Sequence, residues 1–379
     1  MEAQVKKIDF TGQNIYVGFD THLKSWKVTV MAEGSIYKTF TQPPQPEVLN
    51  NYLKNNFPGG IYHTAYEAGF CGYWIHDKLL SFGIKSIVVN PADIPTTDKE
   101  RVQKEDKRDS RKIARSLSSG TLMPIYVPSI HAQRDRSLLR TRIMLVRDLA
   151  RYKNRIKSFL YFYGISIAPS FSNPQSHWSN RFMLWLESLE IDNGSGKEAL
   201  RVLINECKNL RTSILSINRQ IRQLSNTERY KDNVKLLKSV PGIGLLTAMI
   251  ILTELEAIER FSNIDKLCGY IGLVPSTKSS GEKDKTGDIT PRGHNVLRTA
   301  IIESSWTAIR NDPSLMHSYL TFIKRMESNK AIIKIAKKLL SRIRYVLMNK
   351  KPYVCLIEKE TYKNKNMSET VTNPLQSLN

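Results

Sequence analysis

Short apolar runs alternate with helical spacing over the first third of the chain, from about residue 14 to 127. Period-two runs and three-to-four-residue apolar steps predict strands at 16–20, 27–31, 62–67 and 87–90, and helices at 46–55 and 73–82. The first two strands are close enough to form a hairpin. Strands that are first paired and then alternate with helices predict an α/β layer fold.

The middle of the chain has an unbroken three-four apolar spacing, at Leu200, Leu203, Cys207, Leu210, Ile214, Ile217, Ile221 and Leu224. This heptad pattern predicts a coiled-coil helix, and an earlier amphipathic helix is predicted over 133–163. Two arrangements fit the pair: an antiparallel arm within one chain, or an oligomerisation stalk. In a stalk, replacing Leu210 and Ile217 by Glu would place charge in an apolar seam and dissociate the complex.

The segment from about 230 to 355 is predicted to be helical with loops. Its run Val240-Pro241-Gly242-Ile243-Gly244 is typical of a helix-hairpin-helix turn, where glycines let backbone amides approach a phosphate. A plain turn between helices has the same pattern. We expect an α/β domain at 1–127, a coiled-coil arm at 128–228, a mainly α domain at 229–355, and a polar tail at 356–379.

Positive charge dominates the composition. Lys and Arg number 57 against 35 Asp and Glu, giving a net charge of +22. The excess favours a polyanionic partner, most simply nucleic acid, with an anionic membrane surface as the competing explanation. The apolar run 245–252 is too short to span a bilayer, and 1–7 lacks a signal core. We therefore expect a soluble, cytoplasmic protein.

Cysteine and histidine spacing argues against a zinc site. The four cysteines lie far apart without a Cys-x-x-Cys pair, and the seven histidines show no metal-binding spacing. A disulfide framework is not supported either.

Four carboxylates are the strongest chemical candidates in the first third. Asp20 and Glu67 end predicted strands, while Asp106 and Asp109 stand three residues apart on one face of a predicted helix. Such oxygen ligands suit Mg²⁺, which polarises a phosphodiester for attack. The alternative is that these acids are solvated or cap helix ends.

Arginines recur on one side of the predicted helix 133–163, at Arg136, Arg140, Arg147, Arg151 and Arg155. A solvated helix face would look similar. Because few acids balance these arginines, we favour contact with a phosphate backbone.

A glycine-rich, hydroxyl-rich loop studded with cations follows Gly269. It contains Ser279-Ser280-Gly281, with Lys278, Arg292 and Arg298 nearby. Its composition suits a segment close to a phosphate backbone. Serine before glycine is common in loops, so composition alone does not make Ser280 a nucleophile.

The chain resembles the DEDD-type transposases of insertion sequences, relatives of site-specific DNA invertases, from about residue 14 to 350. The matching motifs are Gly18-Phe19-Asp20, Tyr66 to Trp74, Val89 to Asp93, Asp106 to Lys112, Pro241 to Gly244, Gly272 to Pro275, Ser279 to Gly281 and Thr290 to Gly293. Many members carry Ala where this chain has Ser110.

The resemblance implies a RuvC-like (RNase H-like) domain with Asp20, Glu67, Asp106 and Asp109 as its acids. It also implies a C-terminal transposase domain whose nucleophilic serine falls at Ser280. Relatives form tetramers and use a structured noncoding RNA to choose donor and target DNA. We therefore expect a Mg²⁺-dependent DNA recombinase that acts through a phosphoserine link. No Gly-x-x-x-x-Gly-Lys phosphate loop occurs.

Two rival functions stay open. One is a RuvC-type junction nuclease in which water attacks and Ser280 is structural. The other is a non-enzymatic RNA- and DNA-binding scaffold with structural acids. The nuclease predicts free DNA ends, the recombinase predicts protein-linked ends, and the scaffold predicts no magnesium-dependent breakage.

Overall fold

The computed structural model describes residues 9–95, 106–191, 194–280, 283–290 and 292–355, without the side chains of 106–108 and 276–288. The tail 356–379 and Gly281 lie outside the described residues. The chain divides into two compact units after Pro128, and each is described by itself.

The first unit is built on a mixed five-stranded sheet. Its strands are β1 (Asn14–Thr21), β2 (Trp26–Ala32), β3 (Ser35–Gln42), β4 (Ile61–Glu67) and β5 (Lys85–Val89), in the order β3-β2-β1-β4-β5. β1 and β2 are antiparallel, which confirms the predicted hairpin, whereas β1, β4 and β5 run parallel. The alternation pattern did not predict β3.

Helices cover both faces of this sheet: α1 (Pro46–Asn56), α2 (Trp74–Ser81) and α3 (Asp106–Ser118). Leu49 of α1 and Ile75 of α2 share a buried cluster with the odd-numbered face of β1, which includes Phe19. On the opposite face, Ile113 of α3 packs with Ala65 of β4. The predicted α/β fold is confirmed for this unit.

The second unit is mainly helical. Its elements are α4 (Ile130–Phe162), α5 (Asn180–Glu187), α6 (Gly194–Ser225), α7 (Lys231–Lys238), α8 (Leu245–Leu255), α9 (Ile264–Ile271), β6 (Pro275–Ser280), β7 (Lys283–Ile289), α10 (Asn295–Asn311), α11 (Pro313–Ile323) and α12 (Ser328–Asn349). The buried face of α12 and the apolar α8 belong to one large core. None of the helices in the described ranges combines the length and the hydropathy that a membrane span requires.

The heptad positions of α6 pack against α4 within the same chain. Towards one end, Leu200 and Cys207 share a buried cluster with Ile156 and Leu160 of α4. Towards the other end, Ile221 joins Leu139 in the large C-terminal core. Of the two arrangements that fit the sequence, the structure shows the helical arm, and oligomerisation through this seam stays a prediction.

Truncating a seam residue should destabilise the second unit strongly. Ile204 of α6 is 2% exposed, so Ile204→Ala leaves a cavity and should lower the free energy of unfolding by about 2–5 kcal/mol. The matched control is Leu215→Ala on the same helix, where the side chain is 61% exposed and a change within about 0.5 kcal/mol is expected. Chemical denaturation measures both, and equal losses would contradict this packing.

The C-terminal segment departs from the sequence prediction at one place, because β6 and β7 form an antiparallel hairpin instead of a loop. Few apolar residues occur in this hairpin, so no alternating pattern marks its strands. A two-stranded hairpin is marginally stable alone. Its geometry therefore depends on what holds its two ends.

Candidate functional site

Asp20 and Glu67 lie at the carboxyl ends of neighbouring parallel strands, with Asp20 one residue before the end of β1. The last register pair between β1 and β4 is Phe19 with Tyr66, so Asp20 and Glu67 occupy the next position along each strand. Laterally paired residues share a face of a sheet, and successive residues alternate faces. The two carboxylates therefore stand side by side on the face opposite Phe19 and Tyr66.

The helix α3 crosses this same face at very short range. Gly18 lies two residues before Asp20, and a Cβ atom built on it would fall 2.2 Å from the backbone nitrogen of Ala114 and 2.5 Å from the carbonyl oxygen of Ser110. Only glycine allows so close a helix–strand contact. In the Gly18-Phe19-Asp20 motif, Gly18 thus allows α3 to pack closely against β1, and Asp20 provides a carboxylate on the same face.

The first turn of α3 carries the other two predicted acids. Asp109 is half-buried and directly precedes Ser110, whose Oγ lies 2.9 Å from Oγ1 of Thr29 on β2. Thr29 is the register partner of Gly18, so this buried hydroxyl pair fixes the helix start beside β1. Asp106 begins α3, but its side chain is outside the described residues. The Ser110 hydroxyl thus has a buried hydrogen-bond partner in Thr29.

The carboxylate oxygens at this edge of the sheet are suitable ligands for a hard divalent cation. Asp20 and Glu67 supply carboxylate oxygens, the ligands that Mg²⁺ prefers. His22 Nε2 lies 3.1 Å from Oδ2 of Asp20, so one oxygen already has a polar neighbour. Within the described ranges, no three His, Cys, Asp or Glu side chains form a metal-binding group, and Asp106 is not among the side chains compared.

Ser280 is the last residue of β6, at the tip of the β6–β7 hairpin, where it is the register partner of Lys283. The side chains of Ser280, Ser279 and Lys278 lie outside the described part of the structure. The hairpin base is tied by backbone hydrogen bonds: Thr290 donates to the carbonyl of Val274, and His294 donates to that of Tyr270, at 3.0 and 3.1 Å.

Arg298, a residue of α10, donates hydrogen bonds to the backbone on both sides of the hairpin base. Its Nη2 donates to the carbonyl oxygen of Arg292 at 2.9 Å, and its Nε donates to that of Ile271 at 3.3 Å. A Cβ atom on Gly272 would collide with this guanidinium, at 1.9 Å. The role of Arg298 as a phosphate ligand stays a prediction, but its observed contacts join the two ends of the hairpin. Arg292 is exposed.

A buried ion cluster lies next to this base, around Glu254 of α8. Arg140 of α4 donates to both carboxylate oxygens, at 2.8 and 2.9 Å, and Arg136 Nε lies 3.0 Å from Oε2. His294 Nε2 lies 3.1 Å from Oε2, while its Nδ1 accepts the Leu297 amide as the N-cap of α10. Burial alone would raise the pKa of Glu254, but hydrogen bonds from His294 and Arg140 lower it to about 2.

Removing the Glu254 charge should destabilise the second unit. Glu254→Gln leaves the buried Arg136 without its counter-ion, and we expect a loss of about 3 kcal/mol in the free energy of unfolding at neutral pH. The carboxyl pKa is depressed from 4.5 to about 2, so its contribution is complete above about pH 4.5 and is lost as the pH falls towards 2.

Denaturation of wild type and variant at stepped pH values checks this expectation. The difference between them should shrink steadily below pH 4.5. Glu187→Gln is the control, because Glu187 is an exposed acid that pairs with Lys208 at the surface, and its loss should hardly move the unfolding midpoint. A difference that stays constant down to about pH 2 would contradict the assignment.

The proposed basic face of α4 is interrupted by these contacts. The prediction that Arg136 contacts a phosphate backbone is wrong. This arginine is buried and donates to the carbonyls of Thr253 and Glu254. Arg140 pairs with Glu254, and Arg151 pairs with Asp148 at 2.7 Å on the helix surface. Arg147 is exposed. Binding of nucleic acid by Arg140, Arg147 and Arg151 stays a prediction.

The helix-hairpin-helix-like turn joins α7 to α8 as expected. Gly242 there has φ +87°, and a Cβ atom on it would fall 2.4 Å from the Ser304 carbonyl oxygen of α10. Packing against α10 is thus sufficient to explain Gly242. Nothing in the 240–244 spacing identifies this partner helix, which follows some sixty residues later.

Two protein-family models match the chain in sequence. A transposase model of the DEDD IS110 type matches residues 17–165, which include the four acids. A model described as the Transposase IS116/IS110/IS902 family matches residues 234–320, which include Ser280 and the hairpin.

Several similar proteins have names of the same kind. A putative transposase, y4qE, of Sinorhizobium fredii is 29% identical over 65% of this chain and 58% of its own length, so the match spans less than two thirds of that relative. The transposase for insertion sequence element IS1111A of Coxiella burnetii is 25% identical over 76% of this chain and 78% of its own.

The pilin gene-inverting protein of Moraxella bovis is 30% identical over 37% of this chain and 45% of its own length. Its name describes a DNA rearrangement, while the names of the other two describe transposition. The two family matches lie in sequence order and contain all five predicted catalytic residues. Both family models and the names of these relatives show that this chain is similar to insertion-sequence transposases of the IS110/IS116 family.

Proposed function

We propose that this protein is a DNA recombinase that cuts and rejoins the donor and target DNA of an insertion sequence through a phosphoserine intermediate. The observation that carries the proposal is the parallel register of β1 and β4, which sets Asp20 beside Glu67 on the face crossed by the start of α3. Carboxylates gathered at strand ends under a helix start suit phosphodiester chemistry.

We assign the first unit to the RuvC-like (RNase H-like) class. Support comes from its strand order β3-β2-β1-β4-β5, with three antiparallel strands followed by two parallel ones. In that assignment the acids belong at the carboxyl ends of the two central strands and on a helix that packs across them. Asp20, Glu67 and Asp109 have those positions along the chain.

Asp20, Glu67, Asp106 and Asp109 would hold Mg²⁺ in the active protein. A bound divalent ion neutralises charge on the phosphate and favours ionisation of an attacking hydroxyl. The half-buried Asp20 and Asp109 can bind the ion while still admitting a DNA strand. Divalent-metal dependence agrees with the DEDD type of the matching family model.

Ser280 is the proposed nucleophile of the covalent step. Its Oγ attacks the phosphorus, the hydroxyl proton leaves, and one DNA oxygen departs and takes up a proton. A new DNA hydroxyl then attacks the phosphoserine, restoring both the phosphodiester and the serine. Because phosphodiester energy is conserved, no ATP is needed. Lys278, Arg292 and Arg298 are the cations proposed to hold the phosphate.

The proposed partners are double-stranded donor and target DNA, a structured noncoding guide RNA, and further copies of this chain, as a dimer to a tetramer. Support for nucleic acid comes from the net charge of +22. The guide RNA and the oligomer follow from the family resemblance. No membrane partner is proposed.

A recombination assay tests this function against its rivals. Purified protein with its co-purifying RNA is mixed with labelled donor and target duplexes and Mg²⁺. The recombinase predicts molecules that join donor to target sequence. Unjoined ends with free termini would indicate a junction nuclease, and intact DNA despite tight binding would indicate a scaffold.

A further inference from the structure

A strongly positive cleft of about 510 Å³ lies where α6, α7 and α8 meet in the second unit. Its cations come from two helices: Arg222 from the last turn of α6, and Lys231, Lys235 and Lys238 from α7. In the part of the chain that the structure describes, no acidic side chain lines the cleft. The charge is therefore concentrated in one concave surface.

The hydrophobic core does not use these charges, which lie on the exposed side of α7. Lys231, Lys235 and Lys238 follow four- and three-residue steps, so they share one face of α7, whereas Leu237 on another face is fully buried in the core. Like charges at such spacing repel each other and destabilise a helix. A bound anion would turn this repulsion into attraction.

Most of the positive charge in the cleft is available to a ligand. Lys231 lies 3.6 Å from Glu228, an exposed acid at the surface. Counting only residues with described side chains, Arg222, Lys235 and Lys238 make no ion pair, and all three are exposed. Such a cluster requires counter-ions in solution, and these are released when a polyanion binds.

The beginning of α8 adds to the positive field. Leu245, the first residue of α8, lines the cleft, and its N-cap is Gly244, which has no side chain to accept a hydrogen bond from the helix. A helix N-terminus carries partial positive charge and free amides that suit a phosphate oxygen. The polar side chain of Asn226 also lines the cleft.

The lining also indicates which part of a nucleic acid binds. Base recognition in single strands uses aromatic platforms, and the cleft contains none among its lining residues in the described chain. Cations, a helix start and an amide side chain are ligands for phosphate oxygens. The chemistry therefore favours a sugar–phosphate backbone over bases.

We propose that this cleft is a backbone-binding site that holds consecutive phosphates of a nucleic-acid duplex. Its residues are distinct from the four acids and from the serine hairpin, and it positions the duplex without taking part in bond breaking. The inference rests on the proposed function only in requiring a nucleic-acid partner. The phosphates come either from donor or target DNA or from a paired stem of an RNA.

Binding measurements without a divalent metal test the site separately from cleavage. The test variant is Lys235→Gln with Lys238→Gln, and the matched control is Lys324→Gln with Lys338→Gln, two exposed lysines of the same unit outside the cleft. The RNA-free full chain is titrated into labelled duplexes of DNA and of RNA, of equal length, by fluorescence anisotropy. Salt is varied between about 50 and 200 mM.

The test variant should bind at least one duplex about tenfold more weakly than the control, with a salt slope smaller by about 1–2. A loss confined to DNA identifies donor or target DNA as the source, and a loss confined to RNA identifies an RNA stem. Arg222→Gln should give a weaker loss of the same kind. Equal affinities and slopes for test and control variants on both duplexes overturn the proposal, whatever the outcome of the recombination assay.

Discussion

Ser280→Ala is expected to eliminate the covalent protein–DNA adduct while leaving DNA and RNA binding unchanged. Without its hydroxyl, the hairpin tip has no oxygen at this position to attack phosphorus, and an alanine there removes no charge that would hold the backbone. The substitution lies at the end of β6, beyond the tied base of the hairpin, so folding should be unaffected. Denaturing gels of labelled DNA detect the adduct.

The neighbouring serine provides the control. Ser279→Ala removes an identical hydroxyl one residue earlier in β6, beside the proposed nucleophile. Ser279→Ala should retain at least part of the adduct formation, because Ser280 keeps its hydroxyl. Recombination by the Ser280→Ala protein at the wild-type rate would require a different nucleophile.

Asp20→Asn is expected to lower strand cleavage by at least about 100-fold, the usual cost of removing one electrostatic stabiliser of a transition state. Asn keeps the size of the side chain but loses the charge that would hold a cation beside Glu67. The double variant Asp106→Asn/Asp109→Asn should behave alike. Cleavage is measured with Mg²⁺, and folding is monitored by circular dichroism.

Glu47→Gln is the matched control, since Glu47 is an exposed acid of α1 in the same unit, paired with Lys78. Its cleavage rate should equal that of the wild type. Full cleavage by Asp20→Asn in Mg²⁺ would show that the strand-end carboxylates have no catalytic role. DNA binding should survive in all of these variants.

Local patterns predicted the first unit well because its elements are amphipathic or fully buried. The sequences of β1, β4 and β5 are apolar enough to be predicted as strands without knowledge of their neighbours. Asp20 and Glu67 were predicted as site residues because they lie at the ends of two of these strands. By contrast, only Gln42 of β3 is buried, and the other residues of this strand are half-buried or exposed, so its pairing with β2 depends on the sheet edge that β2 offers. Edge strands of this kind have weak sequence signals.

Contacts between distant segments were beyond what spacing could predict. Arg136 and Arg140 have the spacing of a basic helix face, yet their partner is Glu254, more than a hundred residues later, inside an apolar helix. The sequence contained one indication of this partner. Glu254 is the single acid of the apolar helix Leu245–Leu255, and a buried acid needs a polar partner. Likewise, the heptads of α6 specify an apolar seam but not whether the partner is α4 or another chain.

Mass spectrometry of wild-type protein trapped on cleaved DNA tests the phosphoserine link at Ser280 most directly. The complex is denatured, digested with protease and nuclease, and the nucleotide-bearing peptide is sequenced by fragmentation. We expect a single phosphodiester-linked nucleotide on Ser280, formed only in the presence of a divalent metal. Cleaved DNA with free termini and no modified peptide, or a nucleotide on a different residue, would contradict it.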